Sequence, residues 1–374
     1  MVAYGLEMDF FIEDNERIWF VNRKTEGLFC VNTDDKTICL VSVIPNGGGY
    51  RMYCSGIKHD DKLFFFPYLA DNILVYDIKN NMFDKITNDS IQSGMAQYTI
   101  SICHGNNAIA ISTYGEQSIL VLNLIDHSLS KVKLNVPRNG IIGRDYEVRD
   151  GKIFLTMTDC PVLVEVDLCS FKSKNYEEKK LDEGFGTICG VESGLILTGM
   201  HGIYLWDIDS DKIDILTKYP SYIGVYDKSG NYNEGFDKNV ANYIQPFWKS
   251  YVVNSKVYIV SAVVNTSLVF DWLDKSFNAI DLEDSEDIET KEEYPFNKRA
   301  SIIKHIATLQ IGDTIVYSTT RDKSIRIFHC STDTRKELVM ELPLEDRLKL
   351  VSCKATTEGD LLSLEEWIGK VICQ

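Results

Sequence analysis

Short apolar runs, broken by Asn, Asp and Gly, recur along the chain in one register. One pass reads Arg17-Ile18-Trp19-Phe20, a polar break, then Leu28-Phe29-Cys30-Val31-Asn32. Another reads Lys62-Leu63-Phe64-Phe65-Phe66, a break, then Ile73-Leu74-Val75-Tyr76-Asp77. Runs this short, rich in Ile, Val, Phe and Tyr and bounded by turn formers, predict β-strands rather than helices.

The register can be counted. From the first apolar residue of one strand to the polar residue closing the next is fourteen positions in six units: Ile18 to Asn32, Leu63 to Asp77, Ile109 to Asn123, Ile153 to Asp167, Val257 to Asp271 and Ile315 to His329. A seventh unit, Leu195 to Asp207, is two residues shorter, which points to a tighter hairpin at Met200-His201-Gly202. Before each first strand lies a turn, such as Asn15-Glu16, Asp60-Asp61 or Asp150-Gly151, whose residues tolerate left-handed backbone. Another apolar run precedes each turn, and a fourth follows each closing residue, as in Thr37 to Val43. The closing Asp or Asn is read as an Asx-turn that accepts its own following N–H groups, not as a catalytic carboxylate.

Seven such units cannot each bury their own apolar face, so they must stack. The expected fold is all-β: a seven-bladed β-propeller with four antiparallel strands per blade. The blades are expected at about 8–45, 50–88, 98–135, 145–178, 186–218, 248–282 and 303–343. The chain resembles the broad class of repeat β-propellers in architecture only. The Gly-Gly pair of kelch blades is not repeated, and only Trp206-Asp207 ends a strand in the WD manner. The resemblance covers roughly residues 8 to 343 and carries no active-site motif with it. The sequence leaves open how the ring closes; pairing of Met1 to Gly5 with the last blade would cover an exposed edge. In the segment 344–374, apolar residues at 361, 364, 367, 368, 371 and 372 predict an amphipathic helix over about 361–372. Ser363 and Glu366 fit a capping box. That helix either packs on the rim or serves as a docking element.

Composition narrows the function. The net charge of −16 argues against nucleic acid, whose phosphates demand a Lys/Arg footprint. No apolar run approaches a membrane span, and no secretion signal is evident at Met1. The ten cysteines contain no CxxC pair and most sit in strand patterns, so free thiols in a reducing cytoplasm are expected.

No established catalytic motif is present. Asp207-Ile208-Asp209-Ser210-Asp211 opens like a calcium loop but places Lys212 and Lys218 where Gly and Glu are required. Gly184-Phe185-Gly186 approximates a dinucleotide fingerprint, yet a strand follows instead of a helix. The six histidines lack metal-ligand spacing. No cofactor and no metal are therefore expected. The acidic run Asp281 to Glu293 reads as a solvated connector.

The long connection from Tyr219 to Trp248 concentrates Tyr222, Tyr226, Tyr232, Tyr243 and Trp248 among asparagines. Long loops in compact repeats are often functional, and Tyr and Trp offer broad contact with a polar handle. Connections on the same face carry Arg51, Arg138, Arg144, Lys249 and Arg299, which either form salt bridges in the ring or hold an anion. The first reading is a noncatalytic recognition module. It binds a protein, peptide or glycan at the mouth of the ring through Tyr222, Tyr226, Tyr232, Tyr243, Trp248, Arg51, Arg144 and Arg299. The alternative is a hydrolase or lyase acting on a glycan or small polar substrate. It would use Asp145, Asp227, Glu234, Asp237 and His201, with Arg144 or Arg51 as electrophilic partner. Two converging carboxyl groups of shifted pKa at the axis would favour the enzyme; an aromatic, carboxylate-poor mouth would favour the module.

Overall fold

The structure is a computed structural model that describes residues 8–15, 17–22, 27–33, 37–45, 51–137, 140–226, 232–234, 245–264, 266–280, 282, 305–319, 324–339, 343, 345–346 and 349–350. They form seven four-stranded antiparallel sheets, each built from consecutive strands. Blade one comprises Ile12–Asp14, Arg17–Val21, Gly27–Asn32 and Thr37–Val43. The first, innermost strands of the other six blades are Tyr53–His59, Ala96–His104, Ile142–Arg149, Thr187–Val191, Phe247–Val253 and His305–Ile311. A short hairpin, Gly224–Tyr226 with Tyr232–Glu234, stands between blades five and six. The helix expected over about 361–372 and the segment Met1 to Gly5 lie outside the described residues. No helix among the described residues is long and apolar enough to cross a membrane.

Burial follows position in the blade. In blade two the middle strands Lys62–Pro67 and Asn72–Asp77 are buried almost throughout, whereas the outermost strand Met82–Thr87 is mostly exposed. The middle strands are covered on both faces because blades stack sheet to sheet. Ile109 and Ile111 of blade three share a cluster with Ile153, Leu155 and Val164 of blade four. Ile18, Phe20 and Phe29 of blade one share another with Val316 and Ile325 of blade seven, which closes the ring. Each such side chain contributes roughly 1.5–3 kcal/mol on burial.

The closing residues pair across the hairpin as the spacing implies: Arg17 with Asn32, Lys62 with Asp77, Lys152 with Asp167, Lys256 with Asp271 and Thr314 with His329. Blade three departs by one residue. Asn107 pairs with Asn123, so Ala108, not Ile109, is its first apolar position. The second strand is also longer, its pairing with the first strand shifts at Ser112, and it ends at Gly115 with φ of 74°.

The Asx-turns form as expected. Asp77 accepts the N–H of Asn80, Asn123 those of Ile125 and Asp126, and Asp167 those of Cys169 and Ser170. Asp207 and Asp271 do likewise. These N–H donors, and at Asp207 first of all the Ser210 hydroxyl, hold the carboxyls of Asp77, Asp167 and Asp207 below the ordinary aspartate range. Where His329 replaces the acid, Asp313 from the preceding turn accepts the Ser331 N–H instead. The turns before the second strands take left-handed backbone at Asn15, Asp60, Asp150, Asn254 and Gly312.

Gly184 answers a packing need. A Cβ there would lie 2.2 to 2.5 Å from the backbone of Thr158 and Asp159. The glycines resembling a nucleotide fingerprint thus let two backbones cross at the junction of blades four and five.

Candidate recognition site at the ring axis

The innermost strands surround a cavity of about 440 Å³, lined from all seven blades. Strands near the axis cannot be apolar throughout, because their inner edges face this polar space. They alternate instead, as in Ala96–His104. Side chains here tie blade to blade. Ser55 donates to the Tyr98 carbonyl, the Tyr251 and Thr308 hydroxyls lie 2.8 Å apart, and Gln310 donates to the Val252 carbonyl.

Two charged clusters sit where innermost strands begin. In the first, Asp9 has no side-chain exposure and receives a bidentate grip from Arg51, through Nε at 2.9 Å and a terminal nitrogen at 2.7 Å. Burial opposes the charge of Arg51; Asp9 outweighs it and raises the guanidinium pKa. Cys54 Sγ lies 3.2 Å from the same carboxylate, and burial together with Asp9 pushes its thiol pKa up. Arg51 also stacks over the ring of Tyr68, 4.3 Å from its centroid. Arg144 stands at 3.7 Å from Asp9 and lies over Trp248, with Tyr114 farther off at 5.9 Å.

The second cluster centres on Asp145. One oxygen accepts the N–H of Ile188 in blade five and both the N–H and the hydroxyl of Ser250 in blade six. The other takes the Lys249 ammonium at 3.1 Å and its neighbour's N–H from Tyr146. Burial pushes this carboxyl's pKa up, against Lys249 and the N–H donors. Two residues on, burial also raises Glu147, which accepts the N–H of Gly190. Gly190 has no Cβ because the Glu147 carboxyl fills that space.

Of the predicted residues, Arg144, Asp145 and Trp248 line the axial cavity, and Arg51 is joined to it through its grip on Asp9. Tyr222 lies on a turn before blade six and is half exposed. Tyr226 and Tyr232 are backbone partners in the added hairpin. Tyr243, Arg138, Arg299, Asp227 and Asp237 lie outside the described residues, and Glu234 is placed by its backbone opposite Gly224. His201 sits in a blade-five hairpin, where its N–H meets Glu183, and does not line the cavity. Asp9, Tyr68, Tyr114 and Glu147 escaped the sequence reading. Asp9 carries no motif; its one signal is its place just ahead of the first innermost strand, as Arg51 is placed in blade two. Among the described residues no group of three or more His, Cys, Asp and Glu side chains is arranged to hold a metal.

No protein-family model and no curated protein matches this chain. Solved structures do. A chain of the mitotic checkpoint complex aligns over 91% of this chain and 91% of its own, with TM-score 0.56 and 10% identity. Sqt1 of Saccharomyces cerevisiae aligns over 91% and 87%, with TM-score 0.53 and 10% identity. The computationally designed protein Ika8 aligns over 90% and 88%, with TM-score 0.53 and 8% identity. At such identities the likeness is one of fold: the chain is a repeat β-propeller.

Proposed function

We propose that the protein is a noncatalytic recognition module. Its partner, a protein or peptide, seats on the face where the blade connections and the Tyr219–Trp248 segment meet the axis. One observation carries this reading. Asp9 and Asp145, two of the three carboxylates that line the axial cavity, are consumed in holding blades together, while Trp248 lines it beneath the Arg144 guanidinium and Tyr114 and Tyr68 stand beside Arg144 and Arg51. A general acid or base needs a free proton path to substrate. Asp145, saturated by donors from three blades, acts as a clasp. Aromatic and Arg side chains are the groups that dominate protein recognition.

The test is affinity capture followed by mass spectrometry, with wild type and a variant carrying Tyr222→Ala, Tyr232→Ala and Trp248→Ala. Partners enriched by wild type should be lost from the variant while its thermal transition stays cooperative. A second variant, Tyr222→Ala with Tyr232→Ala, spares Trp248, which packs beside the blade-five and blade-six core. Equal capture by wild type and both variants would overturn the reading.

A further inference from the structure

Cys30 and Cys39 stand directly opposite each other in blade one, on the third strand Gly27–Asn32 and the outermost strand Thr37–Val43. Among the described residues no other two cysteines are matched across a pair of strands. Opposed residues of an antiparallel pair share one face of the sheet. Cys39 is exposed and Cys30 half-buried, and the Cys39 sulfur is near enough to act electrostatically on Cys30. The Cys30 thiol donates weakly to the Val31 carbonyl at 3.8 Å, so little is lost when its hydrogen goes. Ile38 and Leu40, on either side of Cys39, pack into the cluster shared with blade seven. The strand that carries Cys39 is thus the one that blade one brings to the seam of the ring.

This register is close to that of a disulfide. Opposed Cα atoms lie about 4.5–5.5 Å apart, and disulfides span about 4.4–6.8 Å. Opposed Cβ atoms lie about 4.5–5.5 Å apart, whereas the bond needs about 3.5–4.5 Å. Closing it asks for about an ångström of movement. The outermost strand can supply this. It is hydrogen-bonded to a neighbouring strand on one side only among the described residues. Its pairing already shifts register just past Phe29 and Leu40, one pair beyond the cysteines. A bridge that needs such an adjustment is readily reduced again.

We propose that Cys30 and Cys39 form a reversible disulfide by exchange with a low-molecular-weight disulfide, tying the seam strand of blade one to its neighbour. Cys39, the exposed thiol, reacts first. Its thiolate attacks one sulfur of the small disulfide, so a mixed disulfide forms and one small thiolate leaves. The Cys30 thiol then gives its proton to water. Its sulfur attacks the Cys39 sulfur and expels the second small thiolate. The two protein thiols lose two electrons and two protons; the small disulfide gains both and becomes two thiols. Burial pushes the Cys30 thiol up to about 11, against the pull of Arg17. Cys30 is therefore slow towards molecules in solution and acts once its target is held beside it on Cys39.

The test incubates the full chain, reduced and folded, with oxidised glutathione at about pH 8. The reaction is quenched with acid, remaining thiols are alkylated, and the protein is digested with trypsin. Lys24, Lys36 and Arg51 place Cys30 and Cys39 on separate peptides, 25–36 and 37–51. Mass spectrometry should find these two peptides joined, at least about tenfold above any other cysteine pair, and dithiothreitol should part them. Cys30→Ser should leave Cys39 as the mixed disulfide with glutathione. Cys39→Ser should leave Cys30 about tenfold less modified than Cys39 is in Cys30→Ser. The deciding measurement is made on wild type, so a variant that fails to fold does not blunt it. Wild type whose Cys39 stays a thiol, stops at the mixed disulfide or joins a cysteine other than Cys30 would overturn the proposal.

Discussion

Asp145→Ala removes one side chain that joins three blades. Its carboxylate is 3% exposed and accepts from Ile188, from Ser250 twice, from Tyr146 and from Lys249, at 3.0 to 3.1 Å. Deleting it leaves the Ile188 and Ser250 amides and a mostly buried ammonium without their acceptor. Breaking a buried pair by removing one partner costs about 3–5 kcal/mol. The site borders the axial cavity, so water can reach some of the orphaned donors, and we expect about 3 kcal/mol. Asp145→Asn keeps one acceptor oxygen and loses the charge, and should cost about 2 kcal/mol. Lys249→Met in the Asp145→Ala background removes the stranded ammonium. It should restore about 1 kcal/mol, which makes the two sites strongly non-additive. Urea unfolding followed by tryptophan fluorescence measures wild type, Asp145→Ala, Asp145→Asn, Lys249→Met and the double variant. A cost below about 1 kcal/mol for Asp145→Ala, or additive behaviour with Lys249→Met, would refute the clasp.

Glu147 predicts a pH effect. Its folded pKa lies above the ordinary 4.5, chiefly through burial. Its stability contribution is therefore complete below pH 4.5 and lost as pH rises through the folded value. Wild type should gain stability relative to Glu147→Gln as pH falls from 7 towards 4.5, and a flat difference between their melting curves would refute this. Gly184→Ala would set a Cβ against fixed backbone of Thr158 and Asp159 and should cost about 3 kcal/mol. Gly140→Ala meets chiefly the movable end of Met157 and should cost clearly less in the same urea assay.

The strands were legible because stacked sheets bury both faces of their middle strands, so Leu63-Phe64-Phe65-Phe66 and Ile73-Leu74-Val75-Tyr76 stand out as unbroken apolar text. The closing Asp was legible because an Asx-turn is solved locally, within three residues. In blade three the pattern reads one residue late because Ala108 is weakly apolar, while Ile109 beside it looks like a strand start. The axis was hardly legible at all. Asp145 finds its acceptor role with amides 43 and 105 residues away, and Asp9 meets Arg51 42 residues on. A lone acid among polar neighbours gives no hint that distant N–H groups will close around it. Arg51 and Arg144 shared one sequence description, yet one is locked to Asp9 and the other keeps an unfilled donor.

Every described sheet is woven from one unbroken stretch of polypeptide. Each can therefore assemble by short-range contacts soon after its own segment emerges during synthesis, without waiting for distant partners. The exception is the seam, where Ile18 and Phe20 must meet Ala307 and Val316 from the far end of the molecule. That single long-range docking carries nearly all the loop-closure entropy of the topology. It is the step at which synthesis speed, chaperones or truncation would decide whether the disc shuts.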